Sequence, residues 1–409
     1  MLAQIGAELM CDQLSTALAP CGLAGLGWSV SAHPGGLLVQ ASGYSQRLPK
    51  LCTDLAHAVA EFKPDPSRFA LVREVLERGL RNRNQERPLW HAQNAVTRTL
   101  ADPSYHFQEA LEYVSSDACT ADACHEHMRE LVAANFVEVF VHGNLLPADA
   151  TRLAEEWRSI LASKPLAADC APLGVFHLLP PQPDNEDART AAAEADDWKA
   201  SRDAPANRLR GVATNPDESN SAIEVYYQFG EPNLREEALL LMLSQIASKS
   251  AFHRLRTELQ LGYVVQCGVR SVNRCRGLAV LIQSAVADPP SLEAQIEDWL
   301  LLFRKETLAQ LDQDRFSEYQ AAVARNLDEP PKTLHQEAAT LWPEILEGTH
   351  RWNHARDLAA EVRDLKVAEL LTLFDNHIAA GGAQRRKLAS HRFSQGDDAK
   401  EGGDTPVST

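Results

Sequence analysis

The residues best suited to chemistry lie in one short run, Arg254-Leu255-Arg256-Thr257-Glu258-Leu259-Gln260-Leu261-Gly262-Tyr263. Arg256 closes a predicted helix, Ala238 to Arg256, and Tyr263 opens a predicted strand seven residues later. If the connection is short, a guanidinium and a phenol lie near each other. Both can donate to a peptide carbonyl or carboxylate, the first through a planar fork of N–H groups and the second through its hydroxyl. Gly262 would let the backbone approach a neighbour closely. Residue type alone also fits a plainer account: an arginine at a helix C-terminus and a tyrosine at the edge of a core.

Two other groups carry metal-ligand residue types. His350-Arg351-Trp352-Asn353-His354 places histidines at i and i+4, the spacing of a zinc pair on one helix face. No glutamate stands between them to act as general base, and Arg351 would repel a cation, so a solvated helix face is the better reading. Cys119, Cys124, His125, Glu126 and His127 also crowd together. Zinc sites draw on two spaced pairs, and only one crowd exists here. Its place, just before a predicted helix from His127 to Asn135, fits a helix start. No Gly-rich phosphate loop occurs, nor a Gly-x-Ser-x-Gly nucleophile elbow.

The elements that would hold these residues occur twice. Leu26-Gly27-Trp28-Ser29-Val30, a Pro34-Gly35-Gly36 turn and Leu37 to Ser42 read as a β-hairpin. Leu261 to Val265, a longer turn and Leu278 to Ser284 read as a second. After each hairpin comes proline and then a helical apolar repeat: Leu51, Leu55, Val59, Phe62 in the first copy, and Leu292, Ile296, Trp299, Leu300, Phe303 in the second. Each copy then carries Asp-x-x-Arg-Phe, at Asp65–Phe69 and Asp312–Phe316, where the aspartate suits a helix N-terminus. Matching order and spacing argue for duplication. Phe136 to Leu145 reads as an alternating strand stopped by Gly143-Asn144, followed by a helix from Pro147 to Leu161. Ala222 to Gln228 reads as another strand. Pro180 to Ser221 is rich in Pro, Ala, Asp, Glu and Asn, and reads as an exposed loop or short acidic helix. Hairpins dominate, so the expected class is α+β: two units, each a mainly antiparallel sheet packed against helices.

With 409 residues, 44% of them apolar and 23% charged, the chain has the composition of a soluble globular protein of two or three domains. A net charge of −16 argues against a nucleic-acid-binding surface. The eight cysteines are scattered without tight spacing, which favours free thiols in a reducing compartment. No apolar run reaches the about 18–20 residues of a membrane span, and no secretory signal is visible at Met1-Leu2-Ala3-Gln4. A cytoplasmic location is expected, with an organelle left open.

Arg256-Thr257 followed by Gln260-Leu261-Gly262-Tyr263 resembles a segment of the insulysin-type (pitrilysin-family) zinc metallopeptidases. Leu259 departs from that pattern, where glutamate is common. The resemblance runs from about Leu9 to Phe393. It is carried further by Ala24-Gly25-Leu26-Gly27, Val141-His142-Gly143-Asn144, Glu224-Val225-Tyr226-Tyr227-Gln228, Asn326 to Lys332 and Leu341-Trp342-Pro343-Glu344-Ile345. In order, these pieces are similar to the third and fourth domains of such an enzyme. The resemblance implies a third domain over 1–165 and a fourth over 166–393, with 394–409 a disordered tail.

It also implies a division of labour. The family's inverted His-x-x-Glu-His motif, which binds zinc and activates water, is absent from this chain. Zinc is therefore implied in an N-terminal half, with no cofactor in this one. This half would close the chamber and contact peptide. Arg256 would position the peptide backbone, Tyr263 would support the developing oxyanion, and Gln260, Leu261 and Gly262 would form the supporting motif. The implied partners are a zinc-bearing half or an active family subunit, together with peptide substrates. The alternative is a standalone, inactive binding or scaffold subunit. Met1 falls where the third domain already has a helix. The resemblance thus implies that the domain's first strand is missing, either through truncation or because a partner supplies it, leaving an open sheet edge.

Overall fold

Asp65 and Asp312, the paired aspartates of the repeat, each cap a helix. The Asp65 carboxylate accepts the Ser67 N–H at 2.8 Å to start the helix Pro66–Asn82. Asp312 accepts the Arg315 N–H at 2.8 Å to start Gln313–Asp328. Each satisfies an N–H that the first helical turn leaves without an intrahelical partner.

The computed structural model describes residues 1–167, 174–178 and 207–396. The chain divides into two compact units, neither contiguous in sequence. One comprises Met1–Asn84, Tyr105–Leu173 and Pro331–Thr349; the other comprises Gln85–Ser104, Gly174–Pro330 and His350–Thr409. Both mix helices with antiparallel strands, the α+β class expected.

In the first unit, β1 (Gly27–His33) and β2 (Gly36–Ser42) pair antiparallel, with Val30 opposite Val39. The helices Leu2–Ala17 and Leu48–Ala60 supply Leu14, Leu51 and Leu55 to a core with Leu18, Leu26, Trp28 and Val39. The helix Pro147–Leu161 adds Trp157 and has the predicted bounds. The predicted strand Phe136 to Leu145 does not form. Only Ala134–Asn135 finds a partner, pairing parallel with Lys164–Pro165. Beyond it Phe136, Val137 and Val139 are exposed. Side chains hold this stretch to the helix Leu334–Leu346 instead. Phe140 lies 5.8 Å from the His142 ring and 6.1 Å from Trp342, and His142 Nε2 is 3.1 Å from Glu337 Oε2. Alternation makes a stretch suited to a sheet, but a ladder needs a second backbone.

The second unit is built on a five-stranded sheet. Its strands are β3 (Asn207–Val212), β4 (Ser221–Gly230), β5 (Val264–Val272), β6 (Cys275–Ser284) and β7 (Lys387–Phe393), in the order β3-β7-β4-β6-β5. Every pairing is antiparallel except β3 with β7. The predicted hairpin is present, with longer strands than expected and a two-residue turn at Asn273-Arg274. Of the stretch Pro180 to Ser221 read as a loop, residues up to 206 lie outside the described residues; β3 then corrects that reading from Asn207 onward. The tail reading likewise lies outside the described residues from 397. Ser394 itself is buried, its N–H donating to Ser221 Oγ at 2.8 Å, so the ordered chain extends past the expected boundary.

β4 is buried along its whole length because both sheet faces are covered. Its Ile223, Val225, Tyr227 and Phe229 join the larger core, with the helices Leu234–Ala251 and Pro289–Leu302. Its Tyr226 points to the other face, where the helix Pro88–Leu100 contributes Val96 and Leu100. The even positions Glu224, Tyr226 and Gln228 alternate like a solvent face, yet they are buried because that face is covered too.

On the sheet-facing side of Pro289–Leu302, Glu293 and Glu297 are buried. Glu293 accepts from Arg208 Nε at 3.0 Å and lies 2.7 Å from His391 Nε2. Glu297 accepts from Arg385 Nη2 at 2.7 Å and from the Tyr227 hydroxyl at 2.9 Å. Lys387 bridges the two carboxylates at 2.5 Å each.

Candidate functional site

The helix Leu234–Ala251 begins with a capping box. Asn233 accepts the Glu236 N–H, and the Glu236 carboxylate accepts the Asn233 N–H, both at 3.0 Å. At its far end the coil widens into a π-helical turn, Phe252–Glu258, whose exit is marked by the Leu259 N–H donating to Arg254 O at 3.0 Å. Such widened turns are uncommon and often sit at functional sites. The predicted helix thus extends through Arg256 in a changed geometry.

Each residue of the Gln-Leu-Gly-Tyr run has a distinct mechanical part. Gln260 adopts φ 50°, turning the chain out of the helix. Leu261 is buried in the larger core, and its N–H donates to Leu255 O at 3.0 Å. Gly262 crosses the end of β6 so closely that a Cβ there would lie 2.0 Å from the Gln283 carbonyl oxygen. Tyr263 then emerges, 85% exposed, immediately before β5.

The structure brings Arg256 and Tyr263 together. The Arg256 guanidinium carbon lies 5.0 Å from the Tyr263 ring centroid and 4.7 Å from that of Phe252, so two aromatic faces hold it. Its neighbours are spoken for: Arg254 Nη1 reaches Glu258 Oε2 at 2.6 Å, and His253 Nε2 is 3.0 Å from Glu258 Oε1. Arg256 has no ion pair among the described residues. Phe252 was missed in the sequence reading, although it stands four residues before Arg256 and i, i+4 neighbours meet on a helix.

Phe252 also lines a cleft of about 590 Å³ along β5, with Ser248, Gln93, Arg270 and Leu281 among its walls. Arg270 pairs with the buried Glu224 and reaches across to the helix Pro88–Leu100, donating to Gln93 O at 2.8 Å and to Thr97 Oγ1 at 2.6 Å. Burial pushes the Glu224 carboxyl up to about 7, with Arg270 pulling the other way. Between the ordinary value of 4.5 and that figure the folded chain binds more protons than the unfolded one, so stability falls as pH rises through the window. Glu224→Gln removes the charge and keeps an acceptor for Arg270. It is expected to gain about 1–2 kcal/mol over wild type at pH 8 and little at pH 5. Paired urea titrations at the two pH values check this; an equal difference at both would assign the effect to packing.

The two metal-like groups do not assemble. His350 sits in a turn at φ 50°, ahead of the helix His354–Asp364, so the histidines do not share a helix face. His354 Nε2 is instead 3.2 Å from Glu237 Oε1 and largely buried, which also corrects the solvated-face reading. Of the second crowd, Cys124, His125, Glu126 and His127 lie inside a helix, Ala121–Ala133, rather than before one, and Cys119 lies just ahead of it. Cys124 is buried there, and burial pushes its thiol up to about 11. Among the described residues no three His, Cys, Asp or Glu side chains are grouped so as to hold a metal ion. They do not fit zinc, and no zinc-bound step is assigned to them. The seven described cysteines are unpaired, and Cys170 lies outside the described residues. No helix among the described residues is long and apolar enough to cross a membrane.

A family model described as the middle or third domain of peptidase M16 matches residues 1–113, and one described as the PQQ synthase PqqF-like C-terminal lobe domain 4 matches residues 242–342. The chain is similar to M16 peptidases along nearly its whole length. Its matched stretches correspond, in order, to the third and fourth domains of insulysin-like members. Over 98% of its length the chain is 25% identical to a nardilysin-like protein of Arabidopsis thaliana, and over 97% it is 26% identical to the insulin-degrading enzyme of Homo sapiens. It spans 37% of the length of each of these M16 relatives. Among solved structures, pitrilysin superposes with a TM-score of 0.74 at 18% identity, covering 96% of this chain and 38% of that one. An M16 inactive domain from Pseudomonas fluorescens superposes with a TM-score of 0.64 at 11% identity, covering 96% of this chain and 88% of that one. At these identities the superpositions speak for the fold.

Proposed function

We propose that this chain is the non-catalytic C-terminal half of an insulysin-like zinc metalloendopeptidase. Its third domain covers 1–165 and its fourth 166–393; it closes the chamber and grips the peptide, and hydrolysis requires a zinc-bearing N-terminal half. The observation that carries the reading is the Arg256 guanidinium, held between the faces of Phe252 and the exposed Tyr263 and without an ion pair among the described residues. A guanidinium fixed by rings keeps its N–H fork for a carbonyl or carboxylate of the bound peptide. The Tyr263 hydroxyl would add a donor where charge develops in the carbonyl under attack. The unpaired thiols support a reducing compartment and hence a cytoplasmic location.

Insulin is a reasonable probe, since relatives are named for degrading it. Fluorescein-labelled insulin binding to the purified chain is read by anisotropy. Arg256→Ala is expected to weaken binding about 10- to 100-fold, the loss of charge-assisted hydrogen bonds. Tyr263→Phe should weaken it about three- to tenfold, and both variants should melt as wild type. The reading fails if the purified chain cleaves the probe, is stopped by a chelator and carries stoichiometric zinc, or if Arg256→Ala binds as wild type does.

The second reading, a standalone binding or scaffold subunit that pairs with an active family member, is favoured by the M16 inactive domain, whose length this chain covers to 88%. Co-purification with a chain bearing His-x-x-Glu-His, rather than continuity with such a motif in one reading frame, would select it.

A further inference from the structure

β5 ends the sheet order, and no further strand pairs with it among the described residues. Among the described residues no loop backbone bonds to residues 265–271 either. Its register with β6 is unbroken from Val264 opposite Gln283 to Val272 opposite Cys275, around the two-residue turn. In such a hairpin the closing pair exchanges both backbone hydrogen bonds, and bonded and non-bonded pairs then alternate. The even positions from 264 to 272 therefore bond to β6. Val265, Cys267, Val269 and Ser271 aim their N–H and C=O groups away from the sheet.

Natural edges are blunted with proline, lysine or bulges. The sequence Val-Val-Gln-Cys-Gly-Val-Arg-Ser-Val of β5 contains neither residue and its pairing shows no bulge; its one charge, Arg270, is turned to the buried Glu224 on one face and leaves the outward backbone row open. The cleft of about 590 Å³ follows this edge, lined by every residue from 265 to 271. The helix Pro88–Leu100 walls one side through Gln93, and the helix Leu234–Ala251 with its π-turn walls the other through Ser248 and Phe252. A row of outward donors and acceptors between two walls matches, in spacing and direction, the backbone of another extended chain.

We propose that the outer edge of β5 is a peptide-binding subsite, on which an extended substrate segment of about seven residues adds as a sixth strand. The seven residues are the length that residues 265–271 span, about 20 Å at strand rise. Because Tyr263 directly precedes β5 and Phe252 lines the cleft while touching Arg256, a peptide seated along the edge has one end at the Arg256–Tyr263 pair. The proposal rests on the reading of this chain as a peptide holder and adds how it holds.

Two sets of measurements on the full chain test it. A fluorescein-labelled peptide of about ten residues is compared with two versions N-methylated at alternate amides, one set on each edge. One set should bind about tenfold more weakly or worse, and the other nearly as the parent does. Ser271 is exposed and its N–H points outward, so Ser271→Pro removes one donor where proline is tolerated; it should weaken binding about fivefold, and Ser271→Ala less than twofold. If Ser271→Pro does not fold, the N-methylated peptides decide on the wild-type chain. Equal binding of the two N-methylated sets overturns the proposal. So does a concentration-dependent dimer, seen by sedimentation, that peptide does not displace, for the edge would then belong to a second copy. Arg256→Ala, measured alongside, separates the two readings: if it weakens binding while both N-methylated sets bind alike, the chain holds peptide without using this edge.

Discussion

Glu297→Ala is expected to destabilise the fold by about 3–5 kcal/mol, the scale of breaking a buried ion pair by deleting one partner. Glu297 is 3% exposed and Arg385 1%, so neither can turn to water. The carboxylate accepts from Arg385 Nη2 at 2.7 and 2.8 Å, from Lys387 Nζ at 2.5 Å and from the Tyr227 hydroxyl at 2.9 Å. Alanine would leave two buried cations and a hydroxyl facing a void. Burial pushes the Glu297 carboxyl up, but Arg385 and Lys387 pull harder, and it rests below the ordinary carboxylate range; Glu293, ringed by His391, Lys387 and Arg208, does the same. Their contribution is therefore complete above about pH 4.5 and is lost as pH falls below it. Glu297→Gln should cost less than alanine because it still accepts a hydrogen bond. Glu318→Ala, on the exposed side of a neighbouring helix, should stay within about 0.5 kcal/mol. Urea midpoints at constant m-value report the differences. A Glu297→Ala chain within about 1 kcal/mol of wild type would mean that water or the neighbouring Glu293 takes over the cations.

That network shows where sequence reading stops. The apolar positions Leu292, Ile296, Trp299 and Leu300 declare a helix and its core face, because a period of 3.6 is a local property. Glu293 and Glu297 on the same helix break the pattern and look solvent-facing. Their partners, Arg385, Lys387 and His391, lie some 90 residues further along, and no local window contains both. The hairpins, the Asp65 and Asp312 caps and the Arg256–Tyr263 pair were legible for the opposite reason: each is settled within about twenty residues of continuous chain. Phe136 to Leu145 failed as a strand because alternation describes one chain and a ladder needs two. His350 and His354 failed as a helix pair because the helix starts only at His354. The widened turn that carries Arg256 left no mark in residue type, since π-helical hydrogen bonding differs from α-helical only in its span. Leu261 and Gly262 were visible as a motif, but what they do depends on where β6 ends.

The second large effect tests that dependence. Gly262→Ala is expected to cost about 3 kcal/mol, the upper end for inserting an atom into a packed site, and to weaken peptide binding as much as Arg256→Ala does. The reason is contact, with no unusual backbone angle involved. The added Cβ would stand 2.0 Å from the Gln283 carbonyl oxygen and 3.0 Å from its carbon. Both belong to the backbone of β6, which is paired on each side and cannot retreat as a flexible side chain would. The loop must lift instead. Lifting pulls Leu261 out of the core below and carries Tyr263 away from the Arg256 guanidinium. Stability and binding should therefore fall together in this one variant, whereas Tyr263→Phe should lower binding alone. Gly79→Ala provides the contrast. That glycine lies inside the helix Pro66–Asn82 with nothing within 4 Å of the added carbon, so alanine should stabilise the chain by about 0.5–1 kcal/mol through helix propensity. Urea unfolding and peptide anisotropy on the three variants decide the matter. A Gly262→Ala chain as stable as wild type, still binding peptide, would show that the crossing over β6 has room to spare and that the placement of Tyr263 does not depend on it.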